Sequence, residues 1–241
     1  TRPMRRTPTS NRGCDRMPQD HTAAPDAPRP WQEGWWTLAR HCPSPNFGPR
    51  PAGRPITLAV VHSISLPPGQ YGGPEIEQLF TNQLDWEAHP YFQQIRGMEV
   101  SSHFVIRRDG EVLQFVSVLD RAWHAGASSW QGLDNCNDYA VGIELEGLED
   151  HPFEAAQYDA LATLMLALNQ QWPVHLVAGH EHVAPGRKRD PGSAFHWREL
   201  QRQLHWSDAA FPAGEMAPPF HPALSSTNDK SITAADPKKQ A

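Results

Sequence analysis

The run Ile56-Thr57-Leu58-Ala59-Val60-Val61-His62 constrains this chain more than any other stretch. An almost continuous apolar run of that length reads as a strand buried on both faces, which requires a sheet covered by helices on either side. It ends in a histidine and gives way to a Pro/Gly-rich loop, residues 65–74. Val174–Ala178 is a second short apolar strand, and it delivers the segment Gly179–Gly192, which carries two histidines, a lysine and an aspartate between glycines. Gly and Pro hold that segment out of helix and sheet, so it is expected as a shaped loop. Tyr139–Gly147 alternates: Val141, Ile143 and Leu145 share one face, while Gly142, Glu144 and Glu146 share the other. Either that second face is wet or one acid points into a pocket.

The remaining elements complete an α/β plan. Val100–Val118 predicts a hairpin turning at Asp109-Gly110. Short helices are expected from Glu75 to Leu84 and from Phe195 to Leu204. A long one runs from Pro152 to Trp172, with Tyr158, Leu161, Leu164, Met165 and Leu168 at helical spacing. His89-Pro90-Tyr91-Phe92 reads as an aromatic turn. The expectation is a single domain with a central mixed β-sheet flanked by helices, spanning residues 31–206, with Trp31, Trp35 and Trp36 covering an edge of its core. Residues 1–30 and 207–241, rich in Pro, Arg and small polar residues, are expected to be disordered extensions.

Composition narrows the function classes. At 241 residues and 39% hydrophobic the chain can bury one full-sized core. A net charge of −6 advertises no basic face for nucleic acid or an anionic membrane. The three cysteines, Cys14, Cys42 and Cys136, are widely spaced and form neither a paired-thiol metal motif nor a disulfide framework. No apolar run reaches the roughly 20 residues that span a bilayer. The arginines near the N-terminus precede no apolar segment, so a secretory signal is not expected. A cytoplasmic, monomeric protein acting on a small molecule fits these observations.

If the strands carrying His62 and His180 are neighbours, both imidazoles reach one rim of the sheet. Asp190, ten residues after His180, can fold back to the same point. Two histidines and an aspartate with a fourth position left for water is the arrangement of a catalytic zinc site; a closed structural site more often uses four ligands, commonly cysteines. Water on such a zinc has its pKa lowered to about 7, which makes it a nucleophile near neutral pH. Attack on an amide then needs charge stabilisation at the carbonyl oxygen, a role open to Lys188, and a proton for the leaving amine. Glu144 or Glu146 can supply that proton. Alternation places both on one face and does not choose between them.

Five blocks in order, residues 60–69, Ala122-Trp123-His124-Ala125-Gly126, Cys136-Asn137-Asp138, residues 142–147 and residues 184–192, resemble the type 2 amidase superfamily, shared with peptidoglycan recognition proteins, and within it the branch that recycles cell wall in the cytoplasm. The resemblance covers Trp31 to Leu204. It implies a zinc hydrolase that cuts the amide between 1,6-anhydro-N-acetylmuramic acid and L-alanine in muropeptides. It places the zinc ligands on His62, His180 and Asp190, the catalytic acid on Glu144, the oxyanion lysine on Lys188 and a saccharide contact on Trp123. Departures are Ser63 for a common Asn, Gly186 for a frequent Glu, Leu133 for a frequent Arg, and Glu181-His182 in place of a Cys-Asn or Cys-Asp pair. His124 and His182 are extra imidazoles, expected beside the site or at the surface rather than as ligands. Two other functions compete: a muropeptide-binding module without catalysis, and a secreted or phage-type wall-lytic amidase. The intact ligand set opposes the first. The lack of a signal segment or wall-binding domain and the long insertion around residues 66–99 oppose the second.

Overall fold

A computed structural model describes residues 30–216. Residues 1–29 and 217–241, which include Cys14 and most of both expected extensions, lie outside the described part. Six strands form the main sheet: β1 (Arg40–His41), β2 (Leu58–Ile64), β3 (Phe104–Ile106), β4 (Val112–Gln114), β5 (Ala140–Glu146) and β6 (Leu176–Gly179). Their order is β6-β2-β5-β3-β4-β1. β2 and β5 pair in parallel over their full lengths, β6 joins β2 and β3 joins β5 in parallel, and the expected hairpin β3–β4 supplies the antiparallel pair. The mixed sheet flanked by helices expected from the sequence is therefore present.

Central parallel strands are covered on both sides, which is why β2 reads as an apolar run: Leu58, Ala59, Val60 and Val61 are fully buried. One face packs Ala59, Val61, Val141, Ile143 and Leu145 against Leu161, Leu164, Met165 and Leu168 of α3 (Ala155–Gln171) and Leu200 of α5 (Trp197–Leu204). Trp31 and Trp36 close the edge of that core, as expected, whereas Trp35 is half-buried outside it, its ring against His41. The opposite face is covered in two places. The insertion between β2 and β3, with α1 (Glu75–Phe80) and α2 (Pro90–Gln94), packs Leu79, Phe80 and Phe92 over Val105 and Leu113. Ala125, Cys136 and Tyr139 lie over Leu58, Val60 and Ala140. Between these two covers a cavity lies above Glu144 and His62.

Four expectations need correction. β2 continues two residues beyond His62, to Ile64, so the histidine lies within the strand. The segment after β6 is not loop from its start, because His180–Val183 forms one helical turn, α4. His89-Pro90-Tyr91-Phe92 is a helix start: the His89 ring Nδ1 accepts the Tyr91 N–H at 3.1 Å, and proline occupies the first turn, where no amide bond is lost. Finally, Ala210, Phe211 and Met216, expected within a flexible tail, are buried in the main core. No helix among the described residues is long and apolar enough to cross a membrane, and Cys42 and Cys136 are free thiols.

Phe211 should then behave as a core residue. Phe211→Ala is expected to cost about 3 kcal/mol in denaturant unfolding. A loss below about 1 kcal/mol would return this segment to the tail.

Candidate metal centre and its cavity

Register brings the site together. Glu144 is the Cα partner of His62 in the β5–β2 ladder, and Gly179 is the partner of Val61 in the β6–β2 ladder, so His180 follows directly into line with His62. Glu144 and His62 thus sit side by side on two adjacent parallel strands, and His180, the first residue of α4, follows directly from the end of the third. Residues aligned across a sheet project from the same face about 5 Å apart. Asp190 returns from the loop after α4, its backbone carbonyl accepting the Glu181 N–H at 2.9 Å.

The ligating atoms converge. His62 Nδ1 and His180 Nδ1 are 2.9 Å apart, and each lies 3.1 Å from Asp190 Oδ2. All three residues are buried. A tetrahedral zinc with bonds of 2.0–2.1 Å has ligand–ligand edges of about 3.3 Å, so this triangle needs to open by only a few tenths of an ångström to hold such an ion. Protonation also fits, since ligands bind as neutral imidazole and ionised carboxylate. Burial pulls His62 down to about 4, against its hydrogen bond to Asp190. Burial alone would raise Asp190, but the hydrogen bonds with His180 and His62 prevail and hold it well below the usual carboxylate range. The distal ring nitrogens are occupied: His180 Nε2 lies 3.2 Å from the Ala125 carbonyl oxygen, and His62 Nε2 lies 3.0 Å from His124 Nδ1.

The two acids on β5 have separate surroundings. Glu146 is bound by Arg107 Nη1 at 2.8 Å and accepts the Gly72 N–H at 2.7 Å. Arg107 also reaches Glu77 at 3.0 Å, which in turn meets Arg40 at 2.8 Å. Glu146 is thus a structural anchor joining β5, β3, α1 and β1. Glu144, by contrast, has an Oε2 without any hydrogen-bond partner, and its Oε1 is 4.0 Å from His62 Nδ1. Burial first, then repulsion from Asp190, pushes its carboxyl well above the ordinary range, with Lys188 opposing. Burial beside Asp190 therefore favours the protonated form of this carboxyl group.

These groups open into a cavity of about 310 Å³, within the usual range for small-molecule sites. Its polar side holds His62, His180, Asp190, Glu144 and the exposed Lys188; Phe80, Tyr91, Ile95, Met98 and the half-buried Trp123 form an apolar side. His62, His180, Asp190, Glu144, Lys188 and Trp123 therefore line this one cavity, and Glu146 does not. His182 points elsewhere, its Nδ1 accepting the Gly179 N–H at 3.0 Å and its Nε2 lying 3.3 Å from Glu215. His124 was expected beside the site or at the surface, and its ring lies against His62; its clamp by Asn137 was not anticipated. Gly142 was the available signal, because a glycine inside a strand often marks close approach by another group: a Cβ there would meet the His124 ring at 2.5 Å.

A family model described as N-acetylmuramoyl-L-alanine amidase matches residues 52–193. The chain belongs to the N-acetylmuramoyl-L-alanine amidase family. Among its relatives, the 1,6-anhydro-N-acetylmuramyl-L-alanine amidase AmpD of Enterobacter cloacae is 43% identical over 204 residues, 84% of this chain and 98% of the relative. AmpD of Escherichia coli (strain K12) is 49% identical over 172 residues, 70% of this chain and 94% of its own. The crystal structure of a selenomethionine AmpD derivative superposes with a TM-score of 0.70 at 48% identity, covering 72% of this chain and 98% of that one. The cavity lining, from His62 to Asp190, falls inside the family-matched segment.

Glu144 gives a test by linkage. Its folded pKa lies above the unfolded value of 4.5, so between the two the native state holds a proton that the unfolded chain has released, and stability falls as pH rises through that window. In the metal-free protein, Glu144→Gln should therefore be more stable than the parent at pH 7, with the difference vanishing below about pH 4. Denaturation curves at the two pH values measure this; an equal difference at both would mean that Glu144 is not held protonated.

Proposed function

We propose that this chain is a zinc-dependent hydrolase of peptidoglycan recycling, cutting the amide between 1,6-anhydro-N-acetylmuramic acid and L-alanine in soluble muropeptides. One observation carries the reading: three ligating atoms converge beside a buried carboxyl group that has no partner, in a cavity that also holds an ammonium group. The names of the relatives support the substrate. His62, His180 and Asp190 would hold the ion, which supplies Lewis acidity, lowering the pKa of water at the open position to about 7 and polarising a carbonyl.

The protein's own groups do the rest. Glu144 holds and moves one proton at its free carboxyl oxygen, taking it from the attacking water and passing it to the departing L-alanine nitrogen, so that water and amide become acid and amine. A pKa raised by burial suits a group that must both accept and donate near neutral pH. Lys188 faces the carbonyl oxygen as it gains negative charge, where a preorganised cation is worth roughly 10²–10³-fold in rate. Trp123 and the apolar side of the cavity pack the hydrophobic surface of the anhydrosugar and keep water from the leaving group. Unpaired Cys42 and Cys136 suit the reducing cytoplasm.

The test is release of stem peptide from a purified anhydromuropeptide, with loss of activity under chelation and return with zinc. Asp190→Ala should lose zinc and activity together. Glu144→Gln should keep zinc and lose about 10²–10⁴-fold in kcat. Muropeptide binding without release, with zinc in place, would make the protein a recognition module; faster turnover of intact sacculi than of soluble fragments would make it a wall-lytic amidase.

A further inference from the structure

The nitrogen that His62 turns toward His180 and Asp190 is Nδ1. For that nitrogen to offer a lone pair to a metal, the neutral ring must carry its proton on Nε2. The only hydrogen-bond partner of Nε2 among the described residues is His124 Nδ1, at 3.0 Å, with the two rings perpendicular. His124 Nδ1 is then the acceptor, which leaves the His124 proton on its own Nε2. That atom is enclosed and has no hydrogen-bond partner. A phenyl ring would fill the same space without an orphaned N–H. What an imidazole adds here is an acceptor aimed at His62.

The His124 ring is fixed from several sides. Its backbone N–H and that of Ala125 both donate to the buried Asn137 Oδ1, at 3.2 and 2.8 Å. Its ring fills the notch left by the missing side chain of Gly142. The same dipeptide also serves the second histidine, because the Ala125 carbonyl oxygen lies 3.2 Å from His180 Nε2. One pair of residues, clamped by one asparagine, therefore contacts the distal nitrogen of both histidines.

We propose that His124-Ala125, held by Asn137, is the element that sets the tautomer and aim of both histidine ligands, with His124 the positioning residue for His62. This rests on the metal-centre reading above. A partner that fixes ring orientation and tautomer typically contributes 10–100-fold in metal affinity.

Replacing His124 with Phe keeps the ring and removes the acceptor; His124→Asn keeps an acceptor oxygen at the position of Nδ1. Zinc affinity is measured by chelator competition, and the cobalt-substituted proteins are compared by their visible spectra. Far-UV circular dichroism and thermal unfolding of the metal-free proteins identify any variant that has not folded. His124→Phe should bind zinc about 10–100-fold more weakly with an altered cobalt spectrum, while His124→Asn stays within a few-fold of the parent and keeps its spectrum. Parent-like affinity and spectrum in a folded His124→Phe would overturn the inference, and so would equal losses in both variants. If Phe fails to fold, the Asn variant alone decides: retained affinity and spectrum support the acceptor role, and lost affinity overturns it. Failure of the parent to bind zinc or cobalt would instead overturn the metal centre itself.

Discussion

The in-register pairing of three parallel strands is the constraint from which the rest of the site follows. β6, β2 and β5 lie side by side; the ladders pair Glu144 with His62 and Gly179 with Val61, so that His180 emerges from the end of β6 beside His62. Parallel strands about 4.8 Å apart leave such side chains little freedom to separate. A slip of one residue in β2 would turn His62 into the helix-covered core and bring an apolar side chain to the cavity. What resists that slip is burial on the other face, where Ala59, Val61, Ile143 and Leu145 pack against α3. Each fully buried aliphatic side chain contributes about 1.5–3 kcal/mol. That core offsets the cost of enclosing an acid with a free oxygen and an imidazole with an orphaned N–H.

Two glutamates on one face of one strand show how environment divides structural from reactive groups. Glu146 is met by a guanidinium and two backbone amides, so its oxygens are satisfied and it anchors the insertion against the sheet. Glu144, two residues earlier, has neither. The difference comes from Arg107 at the end of β3 and from Gly72 in the insertion, not from β5 itself. The insertion thus shapes the apolar side of the cavity and also removes the competing acid from it. One carboxyl group is left free in the cavity, with Lys188 at its edge opposing the cost of ionisation.

What the sequence made legible was whatever local pattern encodes. The apolar run of β2, the alternation of β5, the Asp109-Gly110 turn and the helical stripe of α3 are local signals, and each marks a real element, although β2 runs two residues past the histidine expected to end it. His62, His180 and Asp190 were legible because the polar residues interrupt strands or loops that otherwise need none. The choice between Glu144 and Glu146 was not legible from alternation, since it depends on an arginine 39 residues away. His124 was expected beside the site or at the surface, but its contacts were not legible, because its partner Asn137 and its notch at Gly142 are made by folding. Phe211 and Met216 were misread because isolated apolar residues among Pro and Gly carry no periodicity, yet they dock on a core that other segments build.

Zinc-edge X-ray absorption on the zinc-loaded protein tests the centre most directly. The expected result is one ion per chain, with two imidazole nitrogens at about 2.0–2.1 Å and the remaining ligands oxygen at about 2.0–2.2 Å. A sulfur at about 2.3 Å, or zinc binding well below one ion per chain, would contradict a centre built from His62, His180 and Asp190.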